Sequence, residues 1–398
     1  MLTVEQALER IVAVVHETPS ETIPLDRCLA RVPAVDSVIA PIDVPPFANS
    51  SMDGFAVRAG DCPGELRVIG EVAAGAASLP EVRPGTAVRI MTGAPLPPGA
   101  DAVVPIEDVT ETEDRVTIGE SVDLGAYVRA AGHDTPRGAS VALPAAPLTP
   151  ALLGVLNSIG LTELQVRRRP VVAILSTGDE LVAPGSPLRP GQIYDANSPA
   201  LAAAVAEAGG QPLVLPRAPD VPAEIERRVR EGVEAADLLV ASGGVSVGRH
   251  DHVRETIERL GDLDFWRIAV QPGKPLAFGE IDGVPVVGLP GNPVSALVTF
   301  ELFLRPMLRA MLGLPGDGRQ RVKAATDERI GKDRERRAYL RVRVQSGDGG
   351  YVARSAGGQQ SSQLRSMADA NALLVVPEGV PATQPGERYE AILLGNVA

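Results

Sequence analysis

Several short segments carry residue types suited to an anion and a hard cation, and the most specific is Leu289-Pro-Gly-Asn-Pro-Val-Ser295. Pro290-Gly291 reads as a tight turn, Asn292 as a helix N-cap and Pro293 as the first helical position, with Ser295 in the first turn. A helix start of this kind presents free backbone N–H groups and the positive end of a dipole to an oxyanion. The loop Ser176-Thr177-Gly178-Asp179-Glu180-Leu181 combines hydroxyl and carboxylate groups around a glycine. A turn with carboxylates beside a solvated helix start is its plain alternative. Asp220 stands two residues before Pro222, where helix capping would suffice to explain it. Ser242-Gly243-Gly244-Val245-Ser246, followed by Asp251, allows close backbone approach and offers two hydroxyl donors to a bulky anion. Lys274, in Gln271-Pro-Gly-Lys-Pro275, supplies a point cation.

The glycine loop lacks the GxGxxG of a dinucleotide site, and no GK[ST] follows it, so it is not a P-loop. His250 and His252 stand two apart at a helix start and point in different directions, which argues against a shared metal. Glu180, Asp220 and Asp251, on one rim beside oxyanion cradles, are the oxygen ligands that magnesium takes together with several waters. These residues imply an enzyme acting on a phosphorylated ligand with Mg2+, and they leave the reaction open.

The elements that must position these groups alternate over 171–312. Strands are expected at Val171–Leu175, Pro212–Leu215, Asp237–Ala241, Phe265–Val270 and Val284–Leu289, and helices at Pro199–Ala208, Ala223–Ala235, Val253–Leu260 and from Pro293. That alternation predicts a parallel sheet wrapped by helices, with binding residues on the loops after the strands. The fold class is therefore multidomain α/β. A central parallel-sheet domain spans 167–316 and a small β-barrel 317–398. A discontinuous linking domain covers 1–40 plus 138–166, with a β-rich domain inserted at 41–137. Thr3 is the expected cap of a first helix carrying Val4, Leu8, Ile11, Val12 and Val15.

At 398 residues the chain exceeds one core. Gly 41 and Pro 36 imply many turns, and 3% aromatics leaves the cores to aliphatic residues. A net charge of −12 lacks the cationic excess of a nucleic-acid or membrane-surface binder. Cys28 and Cys62 without a CxxC give neither a disulfide framework nor a zinc site. With acidic residues near Met1 and no long apolar run, a cytoplasmic location is expected.

Further segments carry a resemblance. Pro45 to Val57, Arg89 to Pro95, Ser176 to Leu181, Gln192 to Asp195, Ser242 to Gly248, Pro272 to Pro275, Gly288 to Ser295, Gln359 to Ser362 and Leu364 to Met367 closely resemble the MoeA/gephyrin E-domain family, the molybdopterin molybdenumtransferases of molybdenum cofactor synthesis. The resemblance implies a four-domain fold that works as an elongated homodimer. The implied reaction inserts molybdate into the dithiolene of adenylyl-molybdopterin, cleaving the adenylyl phosphoanhydride and releasing AMP. It implicates Asp53, Thr92, Glu180, Asp220 and Asp251 in activity, with Asp53 and Thr92 acting across the subunit interface. It also places Arg336, Ser361 and Ser362 near molybdate. Turn chemistry at Asp53-Gly54 and a solvated strand edge at Arg334, Arg336 and Arg337 are the plain alternatives. Gln271 departs from the family's lysine. A molybdopterin adenylyltransferase is the expected upstream partner; such an adenylyltransferase, or a scaffold of the gephyrin type, are the competing identities.

Overall fold

The computed structural model describes residues 1–243, 252–347 and 349–397. It divides into two compact units, Met1–Glu21 with Arg167–Ala398, and Thr22–Val166. The first helix thus belongs to the larger unit, apart from the rest of the 1–40 segment with which the sequence reading grouped it. Val4, Ala7 and Ile11 of Val4–Ala13 are buried in the core of the larger unit, together with Phe300, Phe303 and Met307. Thr3 caps that helix in a capping box with Gln6.

The larger unit is built on a six-stranded sheet. Its strands run in the order Gln211–Val214, Val171–Ser176, Leu238–Ser242, Val284–Leu289, Pro275–Ile281, Asp262–Arg267. The first four are mutually parallel and carry near-continuous apolar runs, as a sheet covered on both faces requires. Side chains alternate between two cores. Val172, Ile174, Leu238 and Val240 pack with Leu201 and Val205 of the helix Asn197–Glu207. Ala173, Leu175, Leu239 and Ala241 pack with Ile225 and Val229 of Pro222–Ala235 and with Ile257 of His252–Leu260.

Two strands of this sheet correct the expectation of a wholly parallel arrangement. Pro275–Ile281 pairs antiparallel with Val284–Leu289, and Asp262–Arg267 antiparallel with Pro275–Ile281. Asp282 (φ 51°) and Gly283 (φ 81°) form the two-residue turn that makes this hairpin, a geometry Asp-Gly favours. Val270 is not in this sheet. Val270–Gln271 instead pairs with Arg337–Ala338, so the α/β layer contributes a strand to the C-terminal sheet.

That second sheet closes into a barrel. Its order is Val270–Gln271, Arg337–Gly347, Gly350–Ser355, Arg321–Thr326, Arg388–Leu393, Ala372–Val376, and Ala372–Val376 pairs back to Arg337–Gly347. A helical stretch from Pro293 to Met311, with a π-helical segment at Phe300–Leu304, leads toward it. Glu301 in the π segment accepts from Arg305 Nε at 2.8 Å and from Arg319 Nη2 at 2.8 Å, a buried ion cluster ahead of the barrel.

The smaller unit holds a sheet of Ala102–Pro105, Gly54–Val57, Thr86–Ile90, Gly64–Val72, Arg115–Ile118 and Val109–Glu111. A separate core of Leu25, Leu148, Leu156 and Ile159 surrounds the helix Pro150–Ser158. The sequence suggested helix throughout 138–166, but Ser140–Ala142 and Glu163–Arg167 are strands.

Candidate functional site

Period two in the parallel strands decides which hydroxyls face the ligand end. Ser176 and Ser242 continue the Val172–Ile174 and Leu238–Val240 faces and are direct register partners. They therefore lie under the start of the helix Asn197–Glu207, buried to 2% and 3% exposure. A cavity of about 320 Å³ opens there, lined by Ser176, Thr177, Glu180, Asn197, Ser242, Gly243, Gly291, Asn292, Pro293 and Ser362 among others. Five separate stretches of chain meet at it.

Gly178 has φ 136°, and a Cβ there would stand 2.4 Å from Glu180 Oε2, so the turn is folded against its own carboxylate. Asp179 and Asp220 hold each other: the Asp179 N–H donates to Asp220 Oδ2 at 3.3 Å and the Asp220 N–H to Asp179 Oδ1 at 3.2 Å. The simple capping account of Asp220 fails, because Val221 is the N-cap of Pro222–Ala235 and no side chain caps that helix. Asp220 instead brackets the loop that carries Glu180. Among the described residues, no group of three or more histidine, cysteine or carboxylate side chains is arranged to hold a metal ion. Gly244, Ser246, His250 and Asp251 lie outside the described residues.

Asn292 has the extended N-cap backbone expected of it, yet its side chain does not cap the helix. Its Nδ2 donates to Ser361 Oγ at 3.1 Å, and the Val294 N–H donates to the Ser361 carbonyl at 3.3 Å. The helix start is thus tied to the 359–362 loop of the C-terminal domain, which brings Ser362 to the cavity. Pro290 and Ser295 are buried and do not line it. Lys274 is exposed and is also absent from the lining. It lies at the same sheet edge, since Pro275–Ile281 begins beside the C-terminal end of Val284–Leu289. Gly273 (φ 107°) packs its backbone so close to Thr299 that a Cβ would meet Oγ1 at 2.6 Å.

Arg336 donates to Asp333 at 2.7 Å, so its charge is engaged locally. The arginine that grips the serine loop is Arg341, which the sequence reading did not single out. It is 1% exposed, and it donates from Nη2 to the carbonyls of Gly358 at 3.0 Å and Gln360 at 3.1 Å. Burial pushes its guanidinium down to about 10. In sequence it is one polar residue in a β-type run, with nothing to distinguish it from Arg343. Asn197 and Asp195 were also missed. Asp195 accepts the backbone N–H groups of Asn197 and Ser198, both at 3.0 Å, and Asn197 Nδ2 donates to Ser242 Oγ and to the Gly291 carbonyl, both at 2.8 Å. The Asp-x-Asn-Ser-Pro string was the available signal, since it is a helix-start pattern two residues earlier than Pro199.

In the smaller unit, Thr92 donates its backbone N–H and its hydroxyl to Asp53 Oδ1, both at 2.7 Å. The pair forms because Gly54–Val57 and Thr86–Ile90 are adjacent strands in which Gly54 faces Ile90. The backbone donor and then the hydroxyl of Thr92 hold the Asp53 carboxyl below the usual carboxylate range.

Comparison with known proteins shows the family. Residues 2–160 match the MoeA N-terminal region (domain I and II), 173–310 a probable molybdopterin binding domain, and 323–394 the MoeA C-terminal region (domain IV). The molybdopterin molybdenumtransferase 2 of Mycobacterium tuberculosis (strain ATCC 25618 / H37Rv) is 40% identical over 382 residues, covering 93% of this chain and 94% of that one. The chain belongs to the MoeA family. The molybdopterin molybdenumtransferase of Haemophilus influenzae is 41% identical over 317 residues, 79% of this chain and 78% of that one. A solved MoeA structure, the molybdopterin biosynthesis moeA protein from Pyrococcus horikosii, superposes with a TM-score of 0.83 at 34% identity, covering 100% of both chains. The cavity falls in the segment that matches the probable molybdopterin binding domain and receives Ser362 from the segment that matches MoeA domain IV.

Proposed function

We infer that the chain is a molybdopterin molybdenumtransferase. It inserts molybdate into the dithiolene of adenylyl-molybdopterin, cleaves the adenylyl phosphoanhydride and releases AMP. The observation that carries this reading is a single cavity, in a MoeA-family chain, where Ser176, Glu180, Ser242, Asn292 and Ser362 converge. Hydroxyls and backbone N–H groups at the sheet edge suit phosphate oxygens, and Lys274 adds a cation on the same edge.

The donor set suits magnesium. Glu180 and Asp195 offer carboxylate oxygens in the cavity lining, Asp220 stands beside the loop that carries Glu180, and among the described residues neither thiolate nor imidazole lines the cavity. Magnesium asks for only one or two carboxylates, with phosphates and waters completing its shell. Bound there, it supplies Lewis-acid polarisation of the anhydride. The protein's own work is to hold and orient. Ser242 and the Gly291–Asn292 turn receive phosphate oxygens, Lys274 balances charge on molybdate or on the departing AMP, and Ser361 and Ser362 close the cavity from the C-terminal domain. Asp53 and Thr92, in the smaller unit, act on the cavity of a second subunit in a homodimer. A molybdopterin adenylyltransferase supplies the substrate, and the setting is cytoplasmic.

The test is incubation of purified protein with adenylyl-molybdopterin, molybdate and magnesium. AMP release with molybdenum bound to the pterin is expected, abolished by EDTA and restored by Mg2+. Net transfer of AMP from ATP onto molybdopterin would identify an adenylyltransferase instead.

A further inference from the structure

Ser176 and Ser242 are both buried and side by side, yet their protons are committed differently. Asp195 has no proton to give as a carboxylate, so Ser198 donates to Asp195 Oδ2 at 2.5 Å. Ser198 has one proton, now spent. The contact between Ser176 Oγ and Ser198 Oγ, at 2.5 Å, must then carry the proton of Ser176. What Ser176 shows the cavity is lone pairs alone.

Ser242 is in the opposite state. Asn197 needs its NH2 group on the Gly291 carbonyl, which fixes the amide orientation, and the other N–H of that group fills a lone pair of Ser242. Among the described residues the Ser242 proton has no acceptor, so it is left for another one. Asn197 Oδ1 is itself buried and without a partner among the described residues, so the amide is held by its donor face alone.

We propose that Asn197 and Ser198 set the hydrogen-bond polarity of the cavity. Asn197 is a positioning residue that makes Ser242 a donor to a phosphate oxygen, and Ser198, relayed from Asp195, makes Ser176 an acceptor for a hydroxyl or amine of the same ligand. The cavity thereby distinguishes the anionic from the proton-bearing part of a nucleotide-like substrate. This rests on the functional reading above and deepens it.

The test is AMP binding by titration calorimetry to the full chain, with unfolding midpoints recorded for every variant. Asn197→Asp makes residue 197 an acceptor, turns the Ser242 proton away and should raise the AMP Kd about tenfold or more at pH 8. Asn197→Ala should lose less. In a Ser242→Ala background the Asp penalty should fall by about threefold or more, because its target is gone. An equal penalty in both backgrounds overturns the role of Asn197. If Asn197→Asp does not fold, the same cycle with Asn197→Ala decides: coupling supports the proposal and additivity overturns it. Ser176→Ala should raise the Kd for AMP but not for sulfate, which has no proton to offer, and equal losses overturn the acceptor assignment. Wild-type protein that binds no AMP overturns the functional reading itself, an outcome distinct from all of these.

Discussion

A carboxylate that takes two hydrogen bonds from one threonine favours its charged form, and Asp53 is in that position. Its folded-state pKa is depressed, so the associated stability is present above the unfolded value near pH 4 and is lost as pH falls through the folded value. Asp53→Asn should therefore be less stable than wild type at pH 7, with the gap closing below about pH 4 in urea titrations. A gap that persists unchanged at about pH 2 would contradict the pairing. Glu180 is exposed at the loop end, with its carboxylate folded against Gly178 of its own turn. Glu180→Ala should slow AMP release on the order of 100-fold while leaving the unfolding midpoint near that of wild type. Arg341 acts through the loop it braces. Arg341→Lys keeps the charge but loses the fork, and should cost about 1–3 kcal/mol in chemical denaturation, together with reduced turnover.

Among the elements, the four parallel strands were legible because their apolar runs are bounded by Gly and Pro and separated by helical periodicity. The hairpin was not. Pro275–Ile281 follows a Pro-Gly-Lys-Pro loop that reads as a break, and its two-residue link, Asp282-Gly283, was passed over although the pair is a strong hairpin signal. At the site, the loop after Val171–Ser176, and Ser242 with Gly243, were readable from small and hydroxyl residues. Asn197 was not, because its role depends on a helix packing across two strands. The 359–362 loop was expected from resemblance alone, since nothing local says that Arg341 grips it or that Asn292 reaches Ser361. Turn geometry gives a direct test at this scale. Gly283→Ala, at φ 81°, should destabilise the larger unit by about 1–2 kcal/mol, and an unchanged urea midpoint would count against the left-handed turn.

For the whole molecule, acidity and length set the frame. A chain of net charge −12 that handles anions must rely on backbone N–H groups, hydroxyls and a few local cations. The sites are accordingly built at element ends rather than on basic patches. The described helices include none long and apolar enough to cross a membrane. The two-strand contact between Val270–Gln271 and Arg337–Ala338 has a consequence for how the parts can be separated. Lys274 is only three residues beyond that contact, and the Gln271 side chain accepts the Asp333 N–H at 2.8 Å. Excision of residues 317–398 would therefore strip the Ala269 carbonyl of the Arg337 N–H and the Gln271 side chain of the Asp333 N–H, and loosen the backbone that leads to the lysine. The shortened protein should express poorly or aggregate, and any soluble fraction should bind molybdate and AMP weakly even though the α/β sheet itself is intact. The last domain is in that sense a mooring for the ligand-facing edge, and its removal would cast that edge adrift.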